Sequence, residues 1–162
     1  MAQDRQELDR LIAEITAQQQ RLVLRHFDND DAWSLGCLLV ELAHERALPI
    51  VVDIRRGAHQ LFHAAMAGTT PDNDTWVERK VRVVERFGAP SYLMGLRALA
   101  EGTTFPVKYS LSEQEYAAHG GAFPLTVHGV GQVGTVTVSG LPQAQDHALV
   151  VEALEQVFDQ QS

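Results

Sequence analysis

Two periods of apolar residues alternate along the chain, and each change of period marks a boundary between helix and strand. Over residues 4–20, Leu8, Leu11, Ile12 and Ile15 recur at spacings of three, one and three. This predicts an amphipathic helix with a polar outer face, packed on the body of the protein or on a neighbouring subunit. Residues 21–27 read as a strand. Asp28, Asn29, Asp30 and Asp31 then supply acceptors and negative charge for the start of a second helix, which reaches about Ala47. Its polar strip is confined to Glu41 and Glu45, so most of its surface must be buried. Residues 50–55 and 59–66, joined by a tight turn at Arg56-Gly57, predict an antiparallel pair of strands.

A third helix is predicted over 74–87 and stopped by Gly88 and Pro90; Ser91 is placed as the cap of a fourth, ending near Ala100. A loop rich in Thr, Pro and Tyr follows, with a short helical piece at 113–118. Strands at 124–128 and 132–139 flank Gly129-Val130-Gly131 as a hairpin, and Pro142 opens a last helix running to about Phe158. Five strands, partly joined by hairpins and interleaved with helices, predict an α/β (α+β) protein. The expected architecture is an α-β-α sandwich around a mainly antiparallel sheet.

Composition narrows the setting. The 162 residues show no repeat and no linker, so one domain spanning 1–162 is expected. Aspartate and glutamate number 21 against 13 lysines and arginines, a net charge of -8 that disfavours nucleic acid and anionic membranes as partners. No stretch approaches the roughly 18 apolar residues of a membrane span. Cys37 is the only cysteine, which excludes an internal disulfide and fits a reducing, cytoplasmic location.

The candidate chemistry lies where charge interrupts an apolar face. On the third helix, Trp76, Val77, Val81, Val83, Val84 and Phe87 share the buried arc, and Lys80 falls inside it. An ammonium there must snorkel outward, meet a carboxylate or point into a cavity. Asp53, interrupting the apolar run of a central strand, is its expected partner. Arg79, Arg82 and Arg86 form a positive stripe beside the arc, either a salt-bridged face or part of a pocket for an anion. On the last helix, His147 sits mid-face one turn from the N-terminus. Ser139 and Gly140 bring the strand into that helix and could hold a carboxylate or phosphate. A relay of Ser139, Asp146 and His147 is disfavoured because Asp146 and His147 are adjacent and point to different faces. His59 and His63, four apart on a strand, should share one face about 13 Å apart, too far to chelate one zinc ion but open to haem. Gly129 to Gly134 matches GxGxxG spacing, yet the chain continues as strand where a dinucleotide site needs a helix.

Three segments resemble the GlcG/HbpS family, known as the haem-degrading domain: Gly120-Gly121-Ala122-Phe123-Pro124-Leu125, then Gly134 to Gly140, then Gln145-Asp146. A second block is similar to a subgroup of bacterial and fungal members. It comprises Val52 to Gly57 with His59 to His63, then Asn73-Asp74, Trp76, Arg79-Lys80 and Arg86-Phe87. The resemblance implies a profilin-like fold and a ring-like or higher homo-oligomer. It also implies a link to haem in some members, and in others to glycolate or diol metabolism or to tail-anchored protein targeting. It names no reaction. Two readings follow. In one, Asp53, Trp76, Arg79, Lys80, Ser139, Gly140 and His147 line a pocket for a small anionic ligand or haem, with His59 and His63 as haem-ligand candidates. In the other, the same charges hold together a non-catalytic assembly or adaptor protein.

Overall fold

The strands β1 (Val23–Leu24), β2 (Val51–Arg56), β3 (His59–Ala65), β4 (Ala122–Val127) and β5 (Gly131–Ser139) form one sheet in the order β1-β4-β5-β2-β3. Only the short β1 runs parallel to its neighbour β4; all other pairs are antiparallel, as expected. The computed structural model describes residues 1–162. The helices are α1 (Ala2–Arg21), α2 (Asn29–Arg46), α3 (Pro71–Phe87), α4 (Ser91–Ala100), α5 (Phe105–Tyr109) and α6 (Gln143–Gln160). No helix is long and apolar enough to cross a membrane.

The period of two along the strands sorts the sheet into an apolar and a polar face. Val52, Ile54, Phe123, Leu125, Val136 and Val138 face α2 and α6 in the main core. At about 1.5–3 kcal/mol per fully buried aliphatic or aromatic side chain, this layer is the chief source of stability. The alternate positions Asp53, Thr135, Thr137 and Ser139 are equally buried but turn to the other face. There α3 covers them with only Val77 and Val81, packed on Val51. A second cluster joins α1, α4 and α5, in which Ile15, Leu8, Leu11 and Ile12 of α1 lie on Leu93 and Leu96 of α4. Thus α1 packs on the body of its own chain.

Local chemistry moves several boundaries. The predicted strand at 21–27 shrinks to two residues, because α1 runs through Arg21 and Asp28 already caps α2, accepting from the Asp31 amide at 2.8 Å. Helix α3 starts at Pro71, three residues before the predicted start. The Asn73 carboxamide accepts from the Thr70 amide at 2.9 Å, and Pro71 is preorganised for a first helical turn. Ser91 is not a cap: it sits inside the first turn of α4, where its hydroxyl donates to the His119 carbonyl at 2.6 Å and accepts from the Ala122 amide at 3.1 Å. The predicted helical piece at 113–118 is absent. Its backbone is engaged by α3: the Ala117 amide donates to the Arg79 carbonyl, and Arg82 donates to the Glu115 carbonyl. The helix of this region is α5, whose Phe105 and Tyr109 stack on Phe87.

Candidate functional site

The polar face of the sheet and the first turn of α6 meet beneath α3. After β5, the chain passes through Gly140, Leu141 and Pro142 into α6 without a side-chain cap at its N-cap residue. Asp146 reaches back instead, accepting from the Leu141 amide at 3.0 Å and the Gly140 amide at 3.4 Å. Gly140, at φ 148°, presses against Pro49, and any Cβ would strike the Pro49 carbonyl oxygen. Lys80 descends from α3 onto the same point, donating to Asp146 Oδ2 at 3.1 Å and to the Val138 carbonyl at 3.2 Å. Gly121, at φ 137°, makes room for it; a Cβ there would meet the Val138 oxygen and Lys80 Nζ at 2.7 Å. Lys80 and Asp146 are both almost fully buried. Desolvation pushes the Lys80 ammonium down, and desolvation pushes the Asp146 carboxyl up, each against the attraction of the other charge.

The expected Lys80–Asp53 pair is therefore corrected. Asp53 lies farther along the sheet, fully buried, and accepts from Arg55 Nε at 2.6 Å, Arg55 Nη2 at 3.0 Å, Gln60 Nε2 at 2.7 Å and His63 Nδ1 at 3.2 Å. Sequence reasoning chose Asp53 because it breaks an apolar strand, but a carboxylate two residues from an arginine on the same strand face already has its cation. The expectation for His59 and His63 changes too. A bulge between the Ile54–Phe62 and Arg55–Gln60 pairs inserts one residue into β3. Gln60 and His63 consequently share the Asp53 face, and His59, beside Arg56, turns to the opposite one. His63 lies between two carboxylates, with Nε2 3.2 Å from Asp74 Oδ1.

A cleft of about 250 Å³ opens above the Lys80–Asp146 pair, lined by Asn73, Trp76, Lys80, His119, Ser139 and Gly140, with Gln143 and Leu141 at its rim. Ser139 is 3% exposed and lines this cleft, and the buried hydroxyl without a partner on the same sheet face is that of Thr137. Next to it a more apolar cleft of about 400 Å³ is lined by Leu96, Phe105 and Tyr116, and shares Trp76, His119 and Gln143 with the first. Trp76 and His119 meet edge to face at 5.3 Å and form the common wall. Arg79 lies 4.3 Å over the Trp76 ring, its Nε buried without a partner. Partial burial lowers the His119 pKa, and the charges of Lys80 and Arg79 lower it further, so its imidazole is neutral near pH 7. Arg82 and Arg86, the rest of the stripe, bond within the chain to the Glu115 carbonyl and the Tyr116 hydroxyl.

Of the seven pocket residues expected from sequence, Trp76, Arg79, Lys80, Ser139 and Gly140 gather at these two clefts; Asp53 and His147 do not. His147, one residue past Asp146, points to the other side of α6. It bonds Gln18 of α1 through Nε2 at 2.8 Å and is flanked by the rings of Tyr92 and Phe123. Asn73, His119 and Gln143 were missed. The place of Gln143 in the first turn of α6, directly after Pro142, was a usable signal, whereas His119 lies in a segment without periodicity.

Burial drives the His147 pKa from its ordinary 6.5 down to about 4. The folded protein keeps this ring neutral while the unfolded chain protonates it, so stability is fully present above pH 6.5 and is lost as pH falls toward 4. Urea titrations of wild type and His147→Gln should show the wild type losing on the order of 3 kcal/mol relative to the variant across this window. Parallel pH profiles would refute the assignment.

The fold and sequence have relatives. A UPF0303 protein of Streptomyces avermitilis is 65% identical over 145 residues, 90% of this chain and 89% of the relative. UPF0303 protein R02983 of Rhizobium meliloti is 47% identical over 151 residues, 93% of this chain and 92% of the relative. Among solved structures, the Ybr137w protein superposes with TM-score 0.84 at 30% identity, covering 92% of this chain and 88% of its own. The fold is also that of a PduOC:heme complex, TM-score 0.68 at 18% identity over 80% of this chain and 93% of the other. The family model for haem degrading proteins resembling HbpS matches residues 27–155, and the chain belongs to this HbpS-like family.

Proposed function

We propose that this protein binds a small anionic organic ligand in the cleft between α3, β5 and the start of α6. The observation that carries the reading is Ser139, 3% exposed and lining the cleft, at the mouth of a helix whose N-cap residue supplies no side-chain cap. The positive end of an 18-residue helix favours an anion. Arg79 supports the reading with a buried guanidinium nitrogen that no protein group satisfies. In a Trp33→Phe background Trp76 is the sole indole, and phosphate and pyruvate should quench its fluorescence saturably. Ser139→Ala should weaken that binding about tenfold, the worth of one hydrogen bond. A linear, unsaturable response to both anions would overturn the proposal.

Haem is a second reading, favoured by the apolar cleft and by the PduOC:heme neighbour. The residues fit a flat apolar group with acidic arms: Trp76, Phe105 and Tyr116 offer faces, Arg79 offers a cation, and His119 offers a neutral imidazole without a hydrogen bond. When bound, haem would supply redox and oxygen chemistry. His63 is less suited, since both ring nitrogens face carboxylates. Haemin titration should give a saturable Soret shift that His119→Ala abolishes and His59→Ala and His63→Ala leave intact; the reverse pattern would return the role to β3. The adaptor reading draws less support, because Arg79 and Lys80 face their own chain's clefts. Light scattering should find the oligomeric state of Arg79→Ala unchanged.

A further inference from the structure

Eleven of the thirteen basic side chains in this protein are arginine; the lysines are Lys80 and Lys108 alone. The positions around Lys80 on α3 follow the habit, with Arg79, Arg82 and Arg86. Lysine stands where the cation is buried against a carboxylate and lines a cleft. Arginine cannot give up its proton in a protein, whereas a lysine can become a neutral amine with a nucleophilic lone pair. Lys108 differs in every respect: it is exposed, paired with Glu101, and held protonated by that pair.

We propose that Lys80 forms an imine with a short 2-oxo acid bound in the polar cleft, an inference that rests on the anion-binding reading of that cleft. Ser139 and the Gln143 and Ala144 amides, the two of the α6 start not engaged by Asp146 or the Pro142 carbonyl, receive the carboxylate, which brings the adjacent carbonyl carbon toward Nζ. Asp146 Oδ2, 3.1 Å from Nζ, takes a proton from the ammonium. The freed lone pair forms an N–C bond, and the carbonyl π electrons move to oxygen, which is protonated to give a carbinolamine. Loss of that oxygen as water then breaks the C–O bond and forms C=N. The two hydrogens of the departing water derive from the ammonium, the third stays on nitrogen, and the positive charge passes to the iminium. No oxidant or reductant is needed. The low dielectric supports the first step, since burial shifts Lys80 and Asp146 in the directions that bring the charged and neutral pairs closer in energy. The product remains a cation against Asp146, so the buried charge balance is kept.

Borohydride reduction of the full-length protein with pyruvate tests the step, read by intact mass and peptide mapping. The expected result is one reduced pyruvyl group on the peptide containing Lys80, with Lys108 and the N-terminus unmodified. The double variant Lys80→Met/Asp146→Asn, which removes both charges together and is checked for folding by circular dichroism, should take up none. Saturable quenching of Trp76 by pyruvate without a Lys80 adduct overturns the imine and leaves anion binding standing. Modification spread equally over both lysines and the N-terminus also overturns it. Absence of both quenching and adduct removes the imine together with the cleft's anion-binding role.

Discussion

Lys80→Met should destabilise the protein by about 3–5 kcal/mol near pH 7, the usual consequence of leaving one member of a buried ion pair without the other. The stranded group is Asp146, 1% exposed, which would keep only the Gly140 and Leu141 amides as donors. Asp146 can escape by taking up a proton. Without its cation its pKa rises further above 3.8, and the folded variant then binds a proton that the unfolded chain releases. The stability gap between wild type and variant should therefore be widest at neutral pH and narrow as the pH falls toward 4. Lys80→Met/Asp146→Asn should recover most of the loss, because the amide still accepts from the α6 start and no charge is left unpaired. Urea denaturation of the four members of the cycle measures this directly. Equal losses in the single and double variants would mean that packing around Lys80, rather than charge, sets the cost.

Asp53→Leu should cost a similar 3–5 kcal/mol and leave ligand binding unchanged. Asp53 is fully buried and satisfies Arg55, Gln60 and His63 together, so its removal strands the largely buried Arg55 guanidinium with only Glu78 as a partner. Gln60 and His63 belong to β3, the outer strand of the sheet, which pairs with β2 alone. Amide exchange in β3 should accordingly accelerate more than elsewhere. The cluster borders neither cleft, so anion quenching of Trp76 should persist in the folded variant. A stable Asp53→Leu that has lost anion binding would place Asp53 in the ligand site after all.

The contrast between these two aspartates shows how far the sequence could be read. Both interrupt apolar patterns, and the need of a buried Lys80 for a carboxylate follows from its place in the α3 arc. Which carboxylate it meets depends on where the end of β5 delivers the start of α6 relative to α3, a distance set by the stacking of separate elements. His59 and His63 teach the same lesson at shorter range. A period of two placed them on one face, and a single inserted residue in β3 separated them. That bulge leaves no signature in the residues themselves.

The apolar periodicity by itself determined the five longer helices, the hairpins and the mainly antiparallel sheet, because burial of one face fixes the period wherever an element is long enough to repeat it, which the five-residue α5 is not. It also determined that α3 carries a misplaced lysine, and that Ser139 and Gly140 stand at a strand-to-helix passage. Only the tertiary structure decided that Lys80 pairs with Asp146, that Arg79 folds over Trp76, and that His147 turns away toward α1. It alone brought His119 to the wall shared by two clefts. Such pairings join residues dozens of positions apart, and local pattern carries no information about which buried charges will meet.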